Sequence, residues 1–236
     1  MTGVQAPNRL LDFADLERAS WRQVLRQLDR MVARDECSYL HPSKRWEYPW
    51  ALELAGLSPG SRVLDAGCGA SIFPVFLAAS GMTTIASDVQ LPPRLDRQHH
   101  VFVEYIRGDL GALPLADSVF DAVFCISVIE HLEENGALMA LQEVRRVLRP
   151  GGRLLLTTDY GEDAAAEIWY EGPGQRFRVD WHLFDEARLH RFLARATGWK
   201  LDGPLDLSVD WERMRPAMRR FHGYPYTSLG LSLVKA

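Results

Sequence analysis

Residues 63–71 read VLDAGCGAS: a short apolar run ending in an acid, then two glycines one position apart around Cys68. Glycines there let the backbone turn sharply and let a ligand approach where a Cβ would collide. In a doubly wound α/β fold the first strand–helix turn lies beside the switch point where ligands bind. Taken alone, Gly67 and Gly69 also fit a turn needed only for packing. The dinucleotide fingerprint G-x-G-x-x-G fails, because Ile72 stands where its third glycine belongs, and no phosphate-binding G-x-x-x-x-G-K-[ST] occurs. Asp65, two residues before the first glycine, suits a ligand carrying an ammonium group better than one carrying a pyrophosphate.

Three further positions extend this pattern. Asp88, followed by Val89, ends the strand-like run TTIASD. An acid there can accept both hydroxyls of a ribose, or it is a surface acid at a strand end. Gly108-Asp109-Leu110 offers an acceptor for an adenine amino group, with Leu110 to pack on the ring, although Gly-Asp is also a common turn. CISVIEHL carries Cys125, Ile126 and Ser127 to the end of a buried strand, with Glu130 and His131 just beyond. His131, Glu130 and His182 are the candidate proton acceptors, since histidine titrates near neutrality. For His131 the alternative is orienting the loop, and for His182 an ordinary surface position.

A second group of residues could shape a substrate pocket. Tyr39, Trp46, Glu47 and Tyr48 lie before the glycine turn, and Tyr160, Trp169, Tyr170 and Trp181 after the last central strand. Aromatic side chains there can wall a pocket, shield a cation or stack on a planar substrate, or simply pack a cap onto the core. Arg213, Arg215, Arg219 and Arg220 form a locally basic stretch, read as a solvated helix face or a contact for an anion.

The elements that must hold these residues alternate. RVLDA, TTIAS, HVFVEYI, FDAVFCISV and GRLLLTTDY read as five strands, the fourth apolar enough to be buried on both faces. IFPVFLAAS and ALMALQEVRRVL read as helices, the second stopped by Arg149-Pro150-Gly151-Gly152. Strands alternating with helices mean βαβ units and a mostly parallel sheet. Residues 12–32 place apolar side chains at a 3.6 period, predicting an amphipathic helix, and a short helix over about 49–55 ends at Gly56. After a polar loop containing EGPGQ, Asp185 is the expected N-cap of EARLHRFLARAT. Two more strands are expected over 199–207 and 228–234, flanking WERMRPAMRRF. The division expected is an N-terminal helical cap over 1–45 on a core of 46–236.

The ordered set resembles the class I S-adenosylmethionine (SAM)-dependent methyltransferases, particularly small-molecule enzymes with a D-x-G-C-G loop. It comprises VLDAGCGAS, ASDVQ, RGDLGALPL, FDAVFCISVIEHL and LRPGGRLLLT, and covers about residues 46–160. Where the family loop carries a third glycine, this chain has Ser71. The resemblance implies a Rossmann-like, doubly wound α/β sheet of seven strands in the order 3-2-1-4-5-7-6, strand seven antiparallel and formed here by SLGLSLVKA. It implies that Asp65, Gly67, Cys68 and Gly69 hold the methionine moiety of SAM, Asp88 and Val89 the ribose side, and Asp109 and Leu110 the adenine. Ile126 and Ser127 would line the crevice floor. The implied activity is methyl transfer to a small-molecule O, N or C nucleophile, leaving S-adenosylhomocysteine. The alternative is a non-catalytic SAM-binding or protein-partner module on the same fold.

Bulk properties agree with one sizeable domain. The chain has 236 residues, 47% hydrophobic and 25% charged, with a formal net charge of −4 at pH 7. Such a charge supplies no field drawing the chain to nucleic acid or to anionic lipid, so neither is an expected partner. The chain is expected as a monomer or homodimer. Cys37, Cys68 and Cys125 are too scattered for a disulfide framework or a zinc site, and no metal is expected. No apolar run approaches the ~20 residues that span a bilayer, and no secretory leader is evident, so a cytoplasmic location is expected.

Overall fold

The structure is a computed structural model that describes residues 6–34, 40–91, 94–162, 169–172, 175–178 and 181–236, the two short stretches 169–172 and 175–178 by backbone alone. Cys37 and Tyr39, and the side chains of Trp169 and Tyr170, lie outside the described residues. In chain order the elements begin with β1 (Asn8–Leu10), α1 (Ala19–Val32), α2 (Lys44–Ala55), β2 (Arg62–Ala66), α3 (Phe73–Ala79), β3 (Thr83–Asp88), β4 (Val103–Arg107) and β5 (Phe120–Ile126). There follow α4 (Glu134–Val147), β6 (Leu148–Tyr160), β7 (Trp169–Gly172), β8 (Gln175–Arg178), α5 (Glu186–Arg195), β9 (Trp199–Leu201), β10 (Leu205–Asp206), α6 (Trp211–His222) and β11 (Thr227–Lys235).

The sheet runs β10-β1-β11-β6-β5-β2-β3-β4, with β9 also pairing β11. From β4 through β6 the pairs are parallel, as alternating strands and helices require. β11 then joins β6 antiparallel, from Thr227↔Tyr160 to Val234↔Arg153. The expected order 3-2-1-4-5-7 is thus present as β4-β3-β2-β5-β6-β11. The outer edge differs. Among the described residues no single sixth strand follows β11; its far side is shared by β1 at Leu229 and Gly230 and by β9 at Leu233–Lys235. β11 is long enough for two short partners. Asn8 fixes the first of them: its Oδ1 accepts from Ser232 N (2.7 Å) and its Nδ2 donates to Gly203 O (3.1 Å).

Two other elements depart from the sequence pattern. The helix expected over 12–32 is broken into a 3-10 turn, Phe13–Glu17, and α1, because Arg18 between them takes an extended conformation. The helix expected from Pro49 begins earlier, at Lys44, with Pro49 inside it. Burial of Trp46, Tyr48 and Trp50 against the core outweighs the hydrogen bond that the proline removes. The region expected as a polar loop after Tyr160 contains an antiparallel pair, Trp169↔Arg178 to Gly172↔Gln175.

Two apolar clusters fill the sheet's faces. One lies under α4 and α5 and includes Phe120, Leu141, Leu156 and Phe184. The other lies under α1, α2 and α3 and includes Trp46, Trp50, Phe73 and Phe124. Gly230 permits the second: a Cβ there would stand 2.5 Å from the Trp50 ring, so only glycine lets β11 pass beneath α2.

Candidate functional site

The glycine turn closes the carboxyl end of β2. Gly67 has φ +79, and a Cβ on it would meet both methyl groups of Val128 at 2.7 Å. Glycine is therefore required twice over, by conformation and by space. The turn is tied to the next strand: Gly67 N and Cys68 N both donate to Ser87 O, at 2.8 and 3.0 Å. Asp88 adds a side-chain clasp, its Oδ2 accepting from Gly69 N (2.8 Å) and its Oδ1 from Gln90 N (2.9 Å). Asp88 O in turn accepts from Gly108 N (3.1 Å), which brings the Gly-Asp-Leu turn into the same cluster. Asp109 closes that turn by accepting from Gly111 N (2.8 Å), with Leu110 buried beneath it and Val89 exposed beside it.

Under the turn lies a cavity of about 240 Å³ lined by Lys44, Tyr48, Asp65, residues 67–71, Phe73, Ile126 and Ser127. Asp65 is 3% exposed, and its Oδ2 has no hydrogen-bond partner among the described residues. Burial first, and the nearby Asp88 second, push its carboxyl up to about 7 against the pull of Lys44. A buried acceptor without a donor is costly unless something fills the place. Tyr48 stacks on Phe73 (4.2 Å between centroids) and forms an apolar wall of this cavity. Above Gly69 a Cβ would meet nothing within 4 Å.

Beyond Ser127 the site continues. Ser127 has φ 54, unusual for a residue with a side chain, and is held there by its N–H donating to Thr157 O (3.1 Å). Its hydroxyl accepts from Lys44 Nζ (2.6 Å) and donates to Glu47 Oε1 (3.1 Å). Glu47 is fully buried and also accepts from Ser228 Oγ (2.8 Å) and Lys44 Nζ (2.5 Å). Burial alone would raise the Glu47 carboxyl, but the Lys44 ammonium and these hydrogen bonds hold it below the usual range. Asp159 and Glu130 lie nearby with less compensation. Burial and repulsion from Glu47 push Asp159 up to about 8, while burial and Asp159 push Glu130 well above the carboxylate range. Asp159 accepts from Trp181 Nε1 (2.8 Å), and the Trp181 ring packs against Tyr226, Tyr224 and His131 at 5.3, 5.9 and 5.4 Å.

Most of the sequence-predicted residues meet here. Asp65, Gly67, Cys68, Gly69, Ile126 and Ser127 line one cavity, and Asp88 clasps its loop. Glu130 is buried, with its backbone oxygen accepting from His182 N (2.7 Å), so the turn after β5 and the loop before α5 are joined. His131 is exposed and His182 half-buried. The aromatic group divides. Trp46 packs the cap, stacking on Trp50 and donating to Asp15 Oδ2 (2.8 Å), and Tyr160 stacks on Trp211, whereas Tyr48 and Trp181 face the site. Arg213, Arg215, Arg219 and Arg220 are exposed on α6, Arg215 pairing with Glu162. The residues missed by sequence reasoning are Lys44, Asp159, His222, Tyr224 and Tyr226. For Lys44 a signal existed, its helical spacing from Glu47; the antiparallel pairing of β6 and β11 brings Asp159 near Tyr226, and His222 and Tyr224 come from the end of α6 and the turn after it.

Comparison with known proteins agrees with this geometry. Residues 64–156 match the family described as methyltransferase domain. The demethylmenaquinone methyltransferase of Mycobacterium sp. (strain KMS) is 39% identical over 101 residues, 43% of this chain and 43% of that protein. The malonyl-[acyl-carrier protein] O-methyltransferase of Yersinia pestis is 35% identical over 129 residues, 53% of this chain and 47% of that protein. The matches thus span about half the length of these curated relatives. Among solved structures, the 1,6-didemethyltoxoflavin-N1-methyltransferase of Burkholderia thailandensis superposes with a TM-score of 0.59 at 17% identity, over 100% of this chain and 98% of that one. The [4+2]-cyclase SpnF superposes with a TM-score of 0.60 at 18% identity, over 92% and 96%. The glycine turn and its acids lie within the segment that matches the methyltransferase domain family, and the chain shares its fold with these solved structures.

Proposed function

We propose that the protein is a SAM-dependent methyltransferase acting on a small-molecule O, N or C nucleophile. The observation that carries this reading is the buried Asp65 Oδ2, which among the described residues lacks a donor and lines the cavity under the glycine turn. It fits an amino-acid ammonium and would repel a phosphate. Asp88 has acceptor capacity left for ribose hydroxyls, and exposed Val89 with Asp109 and Leu110 offers an apolar edge and an acceptor for adenine. Bound SAM would supply a methyl group on an activated sulfonium. The protein's share is then position and dryness: Ile126 and Ser127 form the crevice floor, and Lys44 and Glu47 fix Ser127. Glu130, His131 and His182 remain the candidates for proton removal when the nucleophile arrives protonated.

A different reaction on the same fold has a specific observation behind it, since a [4+2]-cyclase shares the architecture across 92% of this chain. Calorimetric titration with S-adenosylhomocysteine, with NADH as control, tests the cofactor. Micromolar binding of the first and none of the second is the expected result; absence of binding would end this reading. Transfer of label from methyl-labelled SAM to an acceptor then separates a methyltransferase from a cyclase-like or idle site.

A further inference from the structure

The cavity under the glycine turn is lined by two opposite charges that do not meet. Among the described residues Asp65 Oδ2 has no donor, and Lys44, the cation of the same lining, is engaged elsewhere. The Lys44 ammonium donates to Ser127 Oγ (2.6 Å) and to Glu47 Oε2 (2.5 Å), and its side chain remains 18% exposed. An ammonium has three N–H donors, so one is left. Ser127 itself lines the cavity, which places the Lys44 ammonium at the cavity's border. Glu47 also accepts from Ser127 Oγ (3.1 Å) and Ser228 Oγ (2.8 Å), so Lys44 can share its charge with a second carboxylate without orphaning the first. Other donors around the cavity are occupied. The backbone N–H groups of Gly67 and Cys68 donate to Ser87 O, that of Gly69 to Asp88, that of Ser71 to Cys68 O and that of Ser127 to Thr157 O. A negative group entering here meets the third N–H of Lys44 as its charged donor, while Asp65 opposes it unless it arrives with a positive charge attached. The group that answers both is a zwitterion, an ammonium and a carboxylate on one carbon.

We propose that Lys44 is a specificity-determining residue of the cofactor site. It takes the carboxylate of the amino-acid group whose ammonium Asp65 takes, so the site admits SAM and rejects adenosyl sulfonium compounds that carry only the amine. The proposal rests on the methyltransferase reading and deepens it. Asp65 alone would favour a decarboxylated cofactor, which has the larger positive charge; Lys44 reverses that order by repelling the bare amine and pairing the carboxylate. Its two existing hydrogen bonds hold the ammonium in place before the ligand arrives, so little ordering is needed on binding.

The test is calorimetric titration of the full chain with three probes: S-adenosylhomocysteine, its decarboxylated analogue 5′-deoxy-5′-(3-aminopropylthio)adenosine, and 5′-methylthioadenosine, which carries neither charge. The parent should bind S-adenosylhomocysteine about ten-fold or more tightly than the decarboxylated analogue. Lys44→Met should shrink that ratio to less than about two-fold while methylthioadenosine affinity stays within about two-fold of the parent's. Lys44→Arg, which keeps the charge, should keep the preference for S-adenosylhomocysteine. A lysine that served only to hold Glu47 and Ser127 would, when replaced, weaken both charged probes alike, so an unchanged ratio in folded Lys44→Met overturns the proposal. Equal or tighter binding of the decarboxylated analogue to the parent does so as well; this needs no variant, and the cofactor reading survives it. Binding of none of the three removes the cofactor reading and the proposal together.

Discussion

At the scale of single residues the site is a set of acids distinguished by their surroundings. Asp65 and Asp88 are near neighbours, yet one is buried with its Oδ2 lacking a donor among the described residues and the other clasps two backbone amides. Replacing Asp88 by alanine should weaken S-adenosylhomocysteine binding by about 10- to 100-fold and loosen the glycine turn, at a cost of about 1 kcal/mol in stability. Calorimetry and urea denaturation check the two effects. For Asp65 the folded carboxyl is raised from 3.8 to about 7, chiefly by burial. Between those values the folded chain holds a proton that the unfolded chain has released. Asp65 therefore contributes stability at low pH that is lost as pH rises through about 7, roughly 4 kcal/mol at most. Asp65→Asn should be more stable than the parent at pH 8 and similar to it at pH 4, yet fail to bind S-adenosylhomocysteine. In the parent, that affinity should increase as pH rises toward 8. Stability curves of variant and parent that run parallel across this range would refute the assignment of Asp65.

At the scale of elements, much was legible because the chemistry follows the strand ends. The apolar runs RVLDA, TTIAS and FDAVFCISV become β2, β3 and β5 with ends within two residues of those expected, and they deliver Asp65, Asp88 and Ser127 to one edge of the sheet. Asp185 caps α5 as its sequence position implies, accepting from Arg188 N (2.6 Å). What was not legible depends on partners distant in the chain. Asn8–Leu10 is too short to announce itself as a strand, and pairing with β10 and β11 makes it one. Tyr226 and Asp159 come together through the register of β6 and β11, which no local pattern encodes. Gly230 belongs to this class as well. Gly230→Ala should cost about 2–3 kcal/mol by driving a methyl group into Trp50, measurable by denaturation, with the parent's cofactor stoichiometry kept in the folded fraction.

For the whole molecule, α2 ties the cofactor cavity to β11. Lys44 and Glu47 of α2 touch Ser127 on β5's end, and Glu47 also touches Ser228 on β11, so one helix turn joins the cofactor cavity to the far strand of the sheet. Filling that cavity should therefore steady the contact between α2 and β11. A ligand that binds only the folded chain adds about 2.7 kcal/mol at a hundred times its Kd. S-adenosylhomocysteine should accordingly raise Tm by several degrees, an increase that Asp65→Asn abolishes. Among the described residues no helix is long and apolar enough to cross a membrane.

The division of β11's outer edge has a consequence for synthesis on the ribosome. Arg9 pairs with Gly230, and Asn8 is fixed by Ser232. The chain's first strand thus has no antiparallel partner until its last strand has left the exit tunnel. β2 to β5 can assemble during translation, while the Asn8–Leu10 segment and the face that β11 will cover stay open. Nascent chains stalled before Thr227 should hold the central parallel strands and leave Trp50 and Tyr160 accessible to solvent. β11 (Thr227–Lys235) would then close over β1 in one late event.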